Sequence, residues 1–329
     1  MQTQPLAAPP HAQHGGTNAT VSRSDRLSFM KLLRDGVQLR MRRQSGSNLS
    51  DTSTVSSSAE NEDASVALET AAAPSKRSAR GTKTSLRAWQ TLAWRDVYST
   101  EPFFEETINE KPLRVKQLLQ GELNGLGTGL TVWPAACVLL KHLDHRFGAT
   151  KQLQNQFVLE LGSGTGAVGV AAAMLHARRV VVTDVDNVLF LMHENAGIAR
   201  HESQARGEKP AATIVEVASY MWGAPPSEAI LPLNAEPQQY PDLILVSDCI
   251  LPRLYPIEPL VAALALLCKP HAKVLISYEH RHYEEFHPKQ RFWDLMAAQG
   301  FALRVIEDDE YHPHYQADDI EIWEITRKV

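Results

Sequence analysis

Four carboxylates stand in or just after apolar runs, where a side chain can meet a ligand. They are Glu160 in Phe157-Val158-Leu159-Glu160-Leu161, Asp184 after Val180-Val181-Val182-Thr183, Asp248 after Leu243-Ile244-Leu245-Val246-Ser247, and Glu279 after Ser277-Tyr278. A carboxylate so placed can accept hydroxyl hydrogen bonds or hold a cation. The first run leads into Gly162-Ser163-Gly164-Thr165-Gly166. Glycines there let the backbone turn tightly and approach a ligand with no Cβ in the way. A helix starting after them offers unpaired N–H groups. Asp184 ends the next run, the position that faces a ribose diol in such units.

These residues need a scaffold of alternating strands and helices. Strands are expected near 157–161, 180–183, 213–217, 242–247, 272–278, 301–306 and 319–326, and helices near 135–145, 166–176, 187–200, 257–268 and 288–299. The alternation implies an α/β fold: a Rossmann-like, doubly wound seven-stranded sheet, mostly parallel and covered on both faces. No helical pattern separates the last two strands, so the final one is expected to run antiparallel. Trp323, alternating with Ile320, Ile322 and Ile325, reads as core strand.

Composition changes near residue 85. Residues 1–85 are rich in Ser, Thr and Ala and read as a disordered, low-complexity extension. Within it, 21–43 interleaves Arg and Lys with Leu, Phe and Met, as a basic amphipathic helix does. Residues 86–329 read as the globular domain. Its first part, 86–150, is a smaller subdomain signalled by Trp89, Trp94, Tyr98, Phe103 and Phe104. The formal charge of −5 argues against a strongly basic nucleic-acid binder. No apolar run is long enough to cross a bilayer, and the start does not read as a secretory signal. Cys137, Cys249 and Cys268 lack metal or disulfide spacing, and the histidines at 280, 282, 287, 312 and 314 lack an accompanying ligand pattern, so no metal is expected. A monomer in the cytoplasm is expected; the nucleus, or the mitochondrion through the basic segment, are the alternatives.

Gly164-x-Gly166-x-x-Gly169 also fits a dinucleotide site. Three features turn the reading towards S-adenosylmethionine. Glu160 can anchor the loop and meet a cationic amino-acid group. The unit starts late, after a segment containing Trp133. Trp222 follows the third strand, where it can cover an adenine.

Taken together the motifs resemble the class I, seven-β-strand methyltransferases. Within them they resemble the protein-lysine methyltransferase-like group (methyltransferase family 16 type), whose members modify chaperones, elongation factors and an AAA ATPase. The resemblance runs from about Gly125 to the C-terminus. It rests on Gly129-x-x-Val132-Trp133, the glycine loop, Met221-Trp222-Gly223, the fourth-strand run ending Ser247-Asp248-Cys249-Ile250, and Ser277-Tyr278-Glu279-His280-Arg281. It implies strand order 3-2-1-4-5-7-6. It also implies S-adenosylmethionine contacts from Trp133, Gly162, Ser163, Gly164, Asp184, Trp222 and Ser247, to which the residue reading adds Glu160 and Gly166. Asp248 would lie at the transfer centre.

Where the group carries Asp-x-x-Tyr or Asp-x-x-Phe, this chain has Leu251, and Tyr255 is the expected substitute wall for a lysine side chain. A lysine amine starts near a pKa of about 10.4 and must lose its proton before attack. Asp248 is therefore read as an orienting acceptor rather than a strong base. Glu279 is the second carboxylate, with Tyr278 and Arg281 as substrate contacts. The expected function is S-adenosylmethionine-dependent N-methylation of a lysine in a non-histone protein. A small-molecule or nucleic-acid methyltransferase, or a non-catalytic module keeping the fold, are the alternatives.

Overall fold

The computed structural model describes residues 101–119, 128–208, 214–252, 254, 256–283 and 286–328. The expectations for 1–85, the basic segment 21–43, Trp89, Trp94, Tyr98 and Tyr255 lie outside the described residues.

The first described element is a hairpin, β1 (Phe103–Ile108) and β2 (Lys111–Lys116), paired antiparallel. Its two turn residues, Asn109 and Glu110, have φ of 50° and 61°. That is the double left-handed turn whose twist matches two short strands. Nothing in Asn-Glu signals it as clearly as Asn-Gly does, and the sequence, read as a helical and strand subdomain over 86–150, bounds no strand there.

Helix α1 (Pro134–Phe147) begins with proline, whose fixed φ suits a first turn where no N–H bond is lost. Then come β3 (Phe157–Leu161), α2 (Ala167–Met174), β4 (Arg179–Asp184), α3 (Leu189–Ala205) and β5 (Val215–Ser219). After these follow β6 (Leu243–Ser247), α4 (Ile257–Leu267), β7 (Lys273–Glu279), α5 (Pro288–Ala298), β8 (Phe301–Val305) and β9 (Ile320–Arg327). Each expected strand and helix has its counterpart, shifted by a few residues at most.

The main sheet runs β5-β4-β3-β6-β7-β9-β8. Counted from β3, this is the expected 3-2-1-4-5-7-6. β9 is antiparallel to both β7 and β8. Strand alternation divides the core into two layers. Val158, Val180, Val182, Leu245 and Leu275 pack with α1 and α2 on one face. Leu159, Val181, Ile244, Val246 and Ile276 pack with α4 and α5 on the other. Trp323 is fully buried in the second layer, stacked with Phe292 and donating its indole N–H to Glu321 at 2.7 Å. Deleting a side chain of that size from a packed layer costs about 3–5 kcal/mol.

The hairpin is fixed to the sheet by Asn195, 1 % exposed on α3. Its Oδ1 accepts the Lys116 N–H at 2.8 Å, while its amide donates to Lys116 O and, at 2.9 Å, to Thr165 O in the glycine loop. Gln117 just beyond β2 accepts the Val132 N–H at 2.7 Å. The hairpin thereby sets the height of the segment that carries Trp133.

Candidate active site at the carboxyl edge of the sheet

The tips of β4, β3, β6 and β7 lie side by side at the carboxyl edge of the sheet, the edge at which open parallel sheets bind ligands. On the β3–β4 side the glycine loop is locked to its neighbour. Ser163 N–H donates to Thr183 O at 2.9 Å, and Thr183 N–H donates back to Ser163 Oγ at 2.9 Å. Gly164 N–H donates to Asp184 Oδ2, and Val185 N–H to Asp184 Oδ1, each at 2.8 Å. A carboxylate has about four acceptor positions, so Asp184 keeps capacity for a ligand diol. Burial raises the pKa of its carboxyl, against those two N–H donors.

The loop glycines are required by their surroundings. Gly164 has φ of 55°, and a Cβ there would sit 2.5 Å from Gly129 O. Gly162 has φ of 66°, and its Cβ would meet Cys249 Sγ at 2.6 Å and the Trp222 ring at 3.0 Å. Trp222, half-buried, therefore lies directly over the bare backbone of Gly162. An aromatic face and a carboxylate with spare lone pairs beside the glycine loop fit the adenosine part of S-adenosylmethionine. Ser247, at the tip of β6, is half-buried.

Two residues expected at the cofactor turn out to hold the loop from behind. Glu160 is fully buried and faces α2, where Oε2 accepts the Gly169 N–H at 2.8 Å. The expected anchoring of the loop is present, but the carboxyl is not presented to the cleft. Burial, only partly offset by that N–H and by Ser163, pushes its pKa up to about 8. Gly166, also buried, supplies the left-handed cap of α2 with φ of 79°.

On the β6–β7 side, Asp248 follows Ser247 and is 5 % exposed. Its φ of 54° is uncommon for a residue with a side chain, though aspartate tolerates it better than most. The guanidinium of Arg281 spans the carboxylate, Nη1 to Oδ1 at 2.7 Å and Nη2 to Oδ2 at 2.5 Å. Nη2 also reaches Glu279 Oε2 at 3.3 Å. Burial works against the Arg281 charge, but the hydrogen bonds and charge of Asp248, aided by Glu279, hold its pKa above the ordinary value. The guanidinium carbon stands 5.4 Å from the centre of the Trp133 ring. That ring is fixed by its own N–H, which donates to Thr128 O at 2.9 Å.

Here the structure corrects one expectation and adds a partner to another. Arg281, expected to touch substrate, has its fork engaged by Asp248 and Glu279. Tyr278, expected beside it, points into the α4–α5 layer, 2 % exposed and 4.9 Å from the Trp323 ring. Strand alternation decides this, since Ser277 and Glu279 take the opposite face. Gly129 and Cys249 are site residues that the sequence reading did not assign. Gly129 lies against Gly164, and Cys249 Sγ lies beneath Gly162, buried and within reach of Leu161 O and Gly162 O. Only their neighbourhood to Trp133 and Asp248 in the chain hinted at them. His280, of the histidine group, pairs with Glu321 at 2.9 Å.

Compared with known proteins, residues 109–297 match the family described as lysine methyltransferase. The chain is 28 % identical over 219 residues to the protein-lysine N-methyltransferase EFM6 of Saccharomyces cerevisiae, covering 61 % of this chain and 82 % of that one. It is 26 % identical over 203 residues to EEF1A lysine methyltransferase 3 of Xenopus tropicalis, covering 61 % and 76 %. A third similarity, 35 % over 125 residues, is to protein N-lysine methyltransferase METTL21A of Danio rerio, covering 38 % and 49 %.

Proposed function

The chain belongs to the lysine methyltransferase family, and from that membership we propose a division of its cleft into a cofactor half and an acceptor half. The reaction is S-adenosylmethionine-dependent N-methylation of a protein lysine. When bound, S-adenosylmethionine supplies an activated methyl group whose C–S bond breaks, with the pair left on sulfur, as the amine lone pair forms the N–C bond. Catalysis of such a transfer is mainly alignment and exclusion of water.

In the cofactor half, Gly162, Gly164 and Trp222 would hold the adenosine and Asp184 the ribose hydroxyls, while Ser163 keeps the loop on β4. Trp133 and Ser247 close the sides. In the acceptor half, Asp248 and Glu279 face the incoming amine. The observation that carries this reading is the Asp184 carboxylate, tied to Gly164 N–H at 2.8 Å with acceptor capacity left. The acceptor we propose is a non-histone protein of the EEF1A type, met by a monomer in the cytoplasm. The relatives named for EEF1A support that choice.

The test is incubation of the purified chain with S-adenosylmethionine labelled in the methyl group and either EEF1A or a whole-cell lysate, followed by peptide mass spectrometry. Label on an EEF1A lysine supports the reading. Label on other lysate proteins alone would replace the acceptor, and label only in small molecules or nucleic acid would sink it.

A further inference from the structure

The acceptor half holds a cation of its own. Arg281 and Asp248 form a two-bond pair whose side chains are 14 % and 2 % exposed, and Glu279, 14 % exposed, adds a third contact. A lone pair of carboxylates in so dry a place is a poor environment for lysine chemistry. An opposite charge nearby stabilises the charged form of an amine. Asp248 and Glu279 alone would keep the acceptor as an ammonium ion, which has no lone pair to attack with.

We propose that Arg281 is a positioning residue of the transfer: paired with Asp248 and Glu279, it cancels carboxylate charge that otherwise holds the acceptor amine protonated. This rests on the reading of Asp248 as the acceptor-side carboxylate. The amine's proton leaves to water, and the free lone pair would then form the N–C bond as the methyl's C–S bond breaks, its pair staying on sulfur.

The neighbouring titratable groups do not supply this compensation. Cys249 lies in the field of Asp184, Asp248 and Glu160, and burial first, then those carboxylates, raise its thiol well above the ordinary value. Burial pushes the Tyr278 phenol up to about 12. Both are neutral at physiological pH. His280 turns to Glu321, which also takes Lys289 at 2.6 Å. Guanidinium suits the task because it stays charged throughout the working range and binds a carboxylate through two parallel bonds. The Trp133 ring beneath it favours a cation in the same place.

The experiment compares wild type, Arg281→Gln, Arg281→Lys and Glu279→Gln. Methyl transfer to EEF1A is followed from neutral to mildly alkaline pH, with kcat and KM resolved. Arg281→Gln is expected to move the pH midpoint of kcat up by about one unit, so that neutral-pH kcat falls about tenfold with KM within about twofold. Arg281→Lys should keep the midpoint near the wild-type value, and Glu279→Gln should lower it. An unmoved midpoint in Arg281→Gln, or an equal shift in Arg281→Lys, overturns the proposal.

Potentiometric titration of the cofactor-free proteins gives a readout independent of activity. Without its guanidinium partner, the carboxylate pair of Arg281→Gln should take up about one more proton than wild type between mildly alkaline and mildly acidic pH. Superimposable titrations overturn the proposal even if EEF1A is not the acceptor. A wild type that titrates as expected yet labels no protein would instead count against the proposed function. Should Arg281→Gln fail to fold, the downward shift expected of Glu279→Gln decides the matter.

Discussion

The two halves of the cleft are built by different means. On the cofactor side, the loop at 162–166 and Asp184 belong to one strand–helix–strand unit, and backbone N–H groups at the tips of β3 and β4 join them, donating at 2.8–2.9 Å to Thr183 O, Ser163 Oγ and Asp184 Oδ2. On the acceptor side, Trp133, Asp248 and the Glu279–Arg281 pair come from distant parts of the chain and every contact among them involves a side chain, including the Glu279 N–H on Asp248 Oδ1 at 3.4 Å and Arg281 Nη1 on Glu279 O at 3.2 Å. The first half is a backbone shape, in which glycine is the message. The second is a balance of charges, which depends on which side chain reaches which.

The sharpest way to break the comparison is at Gly164. Alanine there forces a Cβ to within 2.5 Å of Gly129 O at a φ of 55°. Calorimetry should find cofactor binding lost, together with a drop in stability above the ordinary 0.5–3 kcal/mol of a point substitution, roughly. Next comes the pair Asp184→Ala and Asp248→Asn. Loss of charge-assisted bonds at Asp184 should weaken S-adenosylmethionine by about 1.5–3 kcal/mol. Asp248→Asn should leave cofactor affinity nearly unchanged and slow transfer. If both weaken the cofactor equally, the two halves are not separate.

A third outcome concerns pH. The Glu160 carboxyl sits at about 8 in the fold, above its ordinary 4.5. The folded state therefore binds the extra proton between those values, and stability falls as pH rises through that window, by at most about 1.4 kcal/mol per unit. Glu160→Gln mimics the neutral acid and should remove this slope. Urea midpoints at pH 5 and pH 8 for both proteins check it. The smallest effect is expected at Tyr278. If it is core, Tyr278→Phe should change stability by less than about 1.5 kcal/mol and leave transfer rates nearly intact. A large fall in kcat would return Tyr278 to the acceptor.

How far the sequence could be read follows the same division. The seven-strand order, the antiparallel β9 and the glycine loop were legible because each has a periodic or glycine signature a few residues long. The hairpin was not, because Asn109-Glu110 adopts its turn without glycine. Glu160 was read on the wrong side of the loop, since a strand's alternation leaves open which face lies towards α2. Arg281 was recognised as important, but its partner was not, because that depends on β6 and β7 being neighbours and on the left-handed turn at Asp248.

Asn195 grips Lys116 of the hairpin and Thr165 of the loop with the same side chain. The hairpin Phe103–Lys116 is thus part of the cofactor half's own framework. An expression fragment trimmed to start at the sheet would leave this buried amide half-satisfied beside the loop. It would yield a soft cleft in place of a minimal enzyme.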